Sequence, residues 1–90
     1  EYVEAHTSGF ADFANHVAGY TPSRVTEDCG IDPVDVTSLA ETIHRGKAVS
    51  FWWTMGVNQS HQGVRTAQAI IALSLMTGNI GRPGTGPNSI

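Results

Sequence analysis

The chain has 90 residues, of which 40% are hydrophobic and 14% charged, and its formal net charge is −3. The charged share is well below the roughly 25% of an average soluble domain, which indicates that something outside the chain covers part of its surface. Its single cysteine, Cys29, excludes an internal disulfide and any iron–sulfur cluster held by this chain alone. No apolar run approaches the ~20 residues that span a bilayer.

The charges are unevenly distributed along the chain. All eight acids lie between Glu1 and Glu41, whereas the residues from Thr42 onward carry four basic side chains and no acid. A basic half without acids favours an anionic ligand over a metal cation. Chance in a short chain explains the same pattern, so both interpretations stay open.

The first half of the chain is predicted to be helical, beginning at Glu1–Val3. Four apolar side chains repeat at helical spacing before Gly19, which predicts an amphipathic helix there. They are Phe10, Phe13, Ala14 and Val17. Thr21–Pro22 and Asp32–Pro33 each place a capping side chain before a proline, the pattern that begins a helix. Two further helices are therefore predicted, each ended by a glycine.

The side chains that bind metals or act as nucleophiles are scattered. Cys29 falls on one helical face with Val25, and because a free cysteine behaves as a small hydrophobe, it is predicted to be buried. A zinc site usually needs three or four clustered ligands, which the spacing of the four histidines does not provide. The sequence therefore predicts neither a metal ligand nor a catalytic residue.

The second half predicts one strand and one helix. Ala48–Thr54 is a continuous apolar run, typical of a strand buried on both faces of a parallel sheet, with Trp52 and Trp53 in the core. Arg65–Thr77 is apolar around most of its circumference and predicts an interior helix. Asn79–Asn88 is rich in glycine and proline and predicts a loop. This order indicates an α/β fold, in which the other strands of the sheet are expected from elsewhere.

Gly56–Gly63 joins this strand to the helix and is the most informative segment. In open α/β sheets, ligands bind beyond the carboxyl ends of the strands. Asn58 and Gln59 supply neutral donors and acceptors, and the following helix offers free N–H groups that favour phosphate. The segment contains no acid, so no acid–base pair is predicted. An ordinary polar loop between a strand and a helix explains the same residues.

Two stretches carry a more specific pattern. Trp53–Gly63 contains Met-Gly-Val-Asn-Gln, and Leu75–Gly86 contains Gly-Arg-Pro-Gly-Thr-Gly. Together they resemble the dimethyl-sulfoxide-reductase family of molybdenum enzymes, which carry a bis(molybdopterin guanine dinucleotide) cofactor. Within that family, the chain looks most similar to the catalytic subunit of assimilatory nitrate reductases.

The resemblance implies that the chain is an internal fragment of a much longer enzyme. The parent would reduce nitrate to nitrite by oxygen-atom transfer at molybdenum, with electrons from a [4Fe–4S] cluster. A molybdopterin-dependent formate dehydrogenase is the alternative enzyme. A stand-alone binding or structural module without catalytic activity is the alternative from a different class.

The resemblance also implies a fold and a site. The chain would be a single partial domain from a Rossmann-like, doubly wound parallel sheet, with residues 1–46 helical and residues 47–90 on the cofactor side. The methionine and glutamine that contact the cofactor in nitrate reductases match Met55 and Gln59. Gly56 would permit close approach, and Asn58 and His61 are candidates by proximity.

Further expectations concern partners and location. The molybdenum ligand and the iron–sulfur cysteines of the family lie N-terminal to this region, and Cys29 matches neither motif. The isolated fragment is therefore expected to be inactive and to retain no cofactor. Its expected partners are the remainder of the parent, a small-molecule substrate and an electron donor, with no nucleic acid and no membrane. Unpaired strand edges favour self-association of the fragment, and the expected location is cytoplasmic.

Overall fold

The computed structural model describes residues 2–90, so the predicted opening at Glu1 lies outside the described residues. The chain divides into two compact units, one formed by Ser8–Gly46 and the other by the residues up to Thr7 together with Lys47–Ile90. The elements in chain order are α1 (Tyr2–His6), α2 (Phe10–Val17), α3 (Pro22–Cys29), α4 (Pro33–Arg45), β1 (Ser50–Trp53), α5 (Met55–Asn58), α6 (Gly63–Met76) and β2 (Gly86–Ser89).

The unit Ser8–Gly46 is helical, as its sequence predicts. The Thr21 hydroxyl accepts a hydrogen bond from the Arg24 backbone N–H at 3.2 Å, so the predicted N-cap of α3 is confirmed. The Asp32 carboxylate caps α4 in the same way, through the Val34 N–H at 2.8 Å. The burial predicted for Cys29 is wrong, because its helix leaves this side chain exposed.

The second unit contains a two-stranded parallel sheet. β1 pairs with β2 in the register Ser50↔Gly86 to Trp53↔Ser89, and α6 lies between them in the chain. The coarse α/β prediction therefore agrees with the structure. The loop predicted over Asn79–Asn88 is wrong at its end, since β2 occupies it and gives β1 a partner within this chain.

The burial predicted for both faces of the strand is not reached within this chain, and it stays a prediction for the parent. No apolar residue among residues 2–90 is buried, and the Trp52 side chain is 63% exposed. Only Ser74 of α6 is buried, although an interior helix is predicted there. The physical reason is coverage, because one crossover helix can cover only one face of a two-stranded sheet.

The most buried side chains of the described residues are polar. Ser74 lies at the end of α6 and is 0% exposed, and Asn79 follows it at 2%. The Asn79 backbone N–H donates to the Ser74 carbonyl at 2.8 Å, and the Gly78 N–H donates to Leu75. Gly78 has a φ of 71°, so this is a Schellman C-cap, which requires a residue in the left-handed conformation.

Asn79 and Arg82 connect the glycine-rich segment to the start of β1. The Asn79 side-chain oxygen accepts from the Val49 backbone N–H at 3.0 Å and from the Arg82 guanidinium at 3.2 Å. The same guanidinium donates to the carbonyls of Lys47 at 2.9 Å and Gly78 at 3.1 Å. One of the four basic side chains in the acid-free half is therefore bound to the protein itself.

A tight turn then leads into β2. The Thr85 backbone N–H donates to the Arg82 carbonyl at 3.2 Å, with Pro83 and Gly84 between them. Gly84 has a φ of 79°, which matches the third position of a type II turn after proline. None of the helices within residues 2–90 is both long enough and apolar enough to cross a membrane.

Candidate functional site

The carboxyl ends of both strands lie at one edge of the sheet. Trp53 is the last residue of β1, and it pairs with Ser89, the last residue of β2. The chain leaves β1 at this edge through Thr54 and enters α5 at once. Because ligands of open parallel sheets bind beyond the carboxyl ends of strands, this edge is the candidate site.

The segment after β1 is a helical turn where a polar loop is predicted. The Asn58 N–H donates to the Thr54 carbonyl at 3.0 Å, and the Gln59 N–H donates to Met55 at 2.9 Å. The loop prediction for Gly56–Gly63 is therefore wrong over its first residues. Residues four apart on a helical turn lie on the same side, so we expect the side chains of Met55 and of the C-cap residue Gln59 on one side of the turn.

The surface of this turn is open. The Met55 side chain is 64% exposed, and Gln59 is exposed as well. A Cβ atom added to Gly56 would have no atom of the described residues within 4 Å. Gly56 also has no positive φ, so neither backbone conformation nor close packing within this chain requires a glycine at this position. An exposed methionine beside such a glycine is a surface on which another group can lie closely.

The Asn58 side chain connects the turn to both strands. Its oxygen accepts a hydrogen bond from the Trp53 indole N–H at 3.0 Å. Its nitrogen donates to the Ser89 hydroxyl at 2.9 Å. Both polar atoms of the Asn58 carboxamide therefore already have a partner in the protein.

A groove of about 390 Å³ lies where α5 meets α6. It brings together two of the predicted site residues, Asn58 and His61, and it does not include the other three. It also contains Arg65 and Gln68, which were not among the residues predicted from the sequence. Residues three apart lie on the same face of a helix. Because Arg65 and Gln68 have this spacing at the start of the helix after the candidate segment, the sequence could have identified them. The lining residues are Asn58, Ser60, His61, Gln62, Gly63, Val64, Arg65 and Gln68.

Gly63 is the glycine that permits close approach in this region. A Cβ atom at this position would lie 2.6 Å from the Val57 carbonyl oxygen and 3.3 Å from that of Asn58. The first residue of α6 therefore packs directly on the last carbonyls of α5. Close approach of a cofactor at Gly56 stays a prediction, and the packing within this chain depends on Gly63.

The site offers amides, an imidazole and a guanidinium. Arg65 and His61 contribute positive or polar N–H groups, and the groove has no acid among its lining residues. Such a set can bind a polar heterocycle or an anion through hydrogen bonds. Residues 2–90 contain no group of three or more His, Cys, Asp or Glu side chains that could hold a metal ion.

Comparison with known proteins reveals relatives along the whole chain, although no family model matches it. A nitrate reductase of Synechocystis is 37% identical over 90 residues, which are 100% of this chain and 13% of the relative. Formate dehydrogenase H of Escherichia coli is 34% identical over 89 residues, 99% of this chain and 12% of that protein. The assimilatory nitrate reductase of Haloferax mediterranei is 36% identical over 89 residues, with the same coverage of 99% and 12%.

The relatives share a catalytic class but differ in substrate. This chain is similar to nitrate reductases and to formate dehydrogenases at comparable identity, and it spans about 13% of their length. These relatives are oxidoreductases of the molybdopterin family, which agrees with the family indicated by the two sequence stretches. The chain belongs to the molybdopterin oxidoreductases, the family that includes nitrate reductases and formate dehydrogenases.

Proposed function

We propose that the full-length protein is the catalytic subunit of a molybdenum-dependent nitrate reductase, and that this chain forms part of its molybdopterin guanine dinucleotide cleft. The observation that supports this most directly is the α5 turn. Met55 begins it and Gln59 is its C-cap, both are exposed, and they follow the carboxyl end of β1, which lies level with that of β2. That is the location at which open α/β sheets bind their ligands.

The residues at this edge fit such a cofactor. The Gln59 amide can donate to and accept from a pterin or phosphate group, and the flexible, polarizable Met55 side chain can pack against a planar ring. The free space at Gly56 leaves room for close approach. His61 lies further along, in the α5–α6 groove beside Asn58. When bound, the molybdenum cofactor supplies oxygen-atom transfer, with electrons delivered from a [4Fe–4S] cluster in the remainder of the protein.

The proposed fold is one partial domain of a Rossmann-like, doubly wound sheet. The outer edges of β1 and β2 would pair with strands from the remainder of the parent. The same remainder would cover the exposed apolar side chains, such as Trp52 and Val64. In the isolated chain these edges would favour self-association, because unpaired strand edges associate readily. The proposed location of the parent is the cytoplasm.

Substrate is the finer part of the proposal. Nitrate is favoured by the match to nitrate reductases at 37% and 36% identity, and formate is the second candidate because of the match at 34%. Assays of the full-length protein with nitrate and a reduced electron donor, and with formate and an oxidised acceptor, distinguish the two. We expect nitrate reduction. Formate oxidation alone would overturn the nitrate assignment, and absence of both activities and of molybdenum would favour a non-catalytic module.

A further inference from the structure

The Asn58 carboxamide is hydrogen-bonded to the final residue of each strand, Trp53 of β1 and Ser89 of β2. We propose that Asn58 is a positioning residue: it holds the α5 turn against the carboxyl ends of both strands and thereby places Met55 and Gln59. The proposal deepens the proposed function, because the turn it positions is the proposed cofactor-contacting segment. Asn58 itself then acts through its protein partners.

The α5 turn needs such support because it is very short. It has only four residues, and a helix of that length is not stable by itself in water. Thr54 at its start makes no side-chain capping bond. The chain connection through Thr54 holds the start of the turn next to β1. Asn58 is the last residue of the turn, so its two side-chain hydrogen bonds restrain the other end. The close approach of Gly63 to the Val57 carbonyl restrains the same end from the side of α6.

The two strands are also restrained at this point. The Ile90 backbone N–H donates to the Trp53 carbonyl at 3.0 Å, which continues the β1–β2 ladder to the sheet edge. Asn58 therefore connects to the part of the sheet where the pairing ends. A turn fixed to both strands keeps its exposed side in one orientation relative to the sheet.

Substitution by aspartate separates positioning from direct contact with a ligand. In Asn58→Asp one carboxylate oxygen can still accept from the Trp53 indole. The other can accept from the Ser89 hydroxyl, which then donates where it now accepts. Both protein hydrogen bonds survive this change. A direct contact between the Asn58 N–H and an anionic or accepting group of the cofactor would not survive it.

The experiment uses the full-length protein with Asn58→Ala, Asn58→Asp and Trp53→Phe. Asn15→Ala, an exposed asparagine on α2, is the matched control. Amide hydrogen exchange of the peptide covering residues 54–60 reports the turn, and molybdenum content reports the cofactor. We expect about three- to tenfold faster exchange in Asn58→Ala, which corresponds to the loss of one or two modest hydrogen bonds. Asn58→Asp should restore most of the normal exchange rate and molybdenum content.

Coupling to Trp53 is the second readout. If Asn58 acts through the indole, the double variant Asn58→Ala/Trp53→Phe should exchange no faster than Asn58→Ala alone, because the two side chains share one interaction. Additive effects would overturn the proposal. Exchange in Asn58→Ala equal to that in Asn15→Ala would overturn it as well, whether or not cofactor is bound.

Molybdenum content distinguishes this proposal from the proposed function. Suppose that Asn58→Asp loses as much molybdenum as Asn58→Ala and that hydrogen exchange is unchanged in both variants. Asn58 then contacts the ligand directly, and the positioning proposal is overturned. A different result separates the two proposals. If exchange is faster in Asn58→Ala but Gln59→Ala keeps its full molybdenum content, Asn58 positions the turn and the proposed cofactor role of the turn fails.

Discussion

Two glycines a few residues apart have different reasons for lacking a side chain. At Gly63 a Cβ atom would lie 2.6 Å from the Val57 carbonyl oxygen, whereas at Gly56 it would meet nothing within 4 Å. Gly63 is therefore required by packing inside the chain. Gly56 is not, and any requirement for glycine there must come from a group outside the described residues.

This difference predicts opposite effects of the same substitution. In the full-length protein Gly63→Ala should destabilise the α5–α6 junction by about 1–3 kcal/mol, the usual cost of overpacking. Gly56→Ala should leave stability unchanged or raise it by up to about 1 kcal/mol, because alanine favours helix more than glycine does. Amide hydrogen exchange of residues 54–66 in the full-length protein measures both effects. Equal destabilisation by the two substitutions would contradict the packing described at the α5–α6 junction.

At this scale the sequence predicted capping well and burial poorly. Thr21 and Asp32 cap their helices as expected, because a cap depends on residues two or three positions away. Cys29 is exposed against expectation, because burial depends on what packs over a helix face. Helical spacing identifies such a face but does not show which part of the protein packs on it. The cofactor roles of Met55, Gln59 and His61 stay predictions.

Among the elements, α5 and β2 are the two that the sequence did not predict. β2 consists of Gly-Pro-Asn-Ser, residues with little intrinsic preference for strands, and Pro87 lacks a backbone donor. Its extended form is imposed by pairing with β1, a contact distant in sequence. α5 was not predicted because the residues that follow it are polar and indicated a loop. By contrast, β1 and α6 were predicted because their apolar patterns are local.

The pairing of β1 with β2 should depend on Asn79. This buried side chain links the Val49 backbone N–H, before β1, to Arg82, in the segment that precedes β2. In the full-length protein Asn79→Ala leaves these donors without this acceptor, which should destabilise the pairing of β1 with β2 by about 1–3 kcal/mol. Hydrogen exchange of residues 49–53 should become faster. Asn15→Ala on the exposed surface of α2 is the control, and an equal response of the two variants would contradict this role.

For the whole molecule, no apolar residue among residues 2–90 is buried, which agrees with the expectation that something outside the chain covers part of its surface. The sequence indicated it indirectly, through a low charged fraction and apolar residues around most of α6. Which surfaces cover those residues was not predictable, because they lie outside the chain. The family was predictable from two short motifs, and the relatives, of which the chain spans about 13%, agree with it.

The isolated 90-residue chain should neither reduce nitrate nor bind a metal stoichiometrically. The described residues contain no cluster of three metal-binding side chains, and the sequence has one cysteine. Elemental analysis of the purified, tag-free chain, with a nitrate reduction assay, measures this. Stoichiometric molybdenum or iron, or turnover of nitrate, would contradict the assignment of the metal ligands to the remainder of the parent.

The central claim is that the α5 turn contacts the molybdopterin cofactor in the full-length protein. Gln59→Ala removes a polar partner, and Gly56→Val fills a space that is free within this chain. The most direct test is the molybdenum content per folded protein in these two variants, with Glu41→Gln on α4 as the control. We expect lower content in Gln59→Ala, still lower content in Gly56→Val and no change in the control. Molybdenum content equal to the control in both variants would contradict the claim and leave the turn as a simple connection.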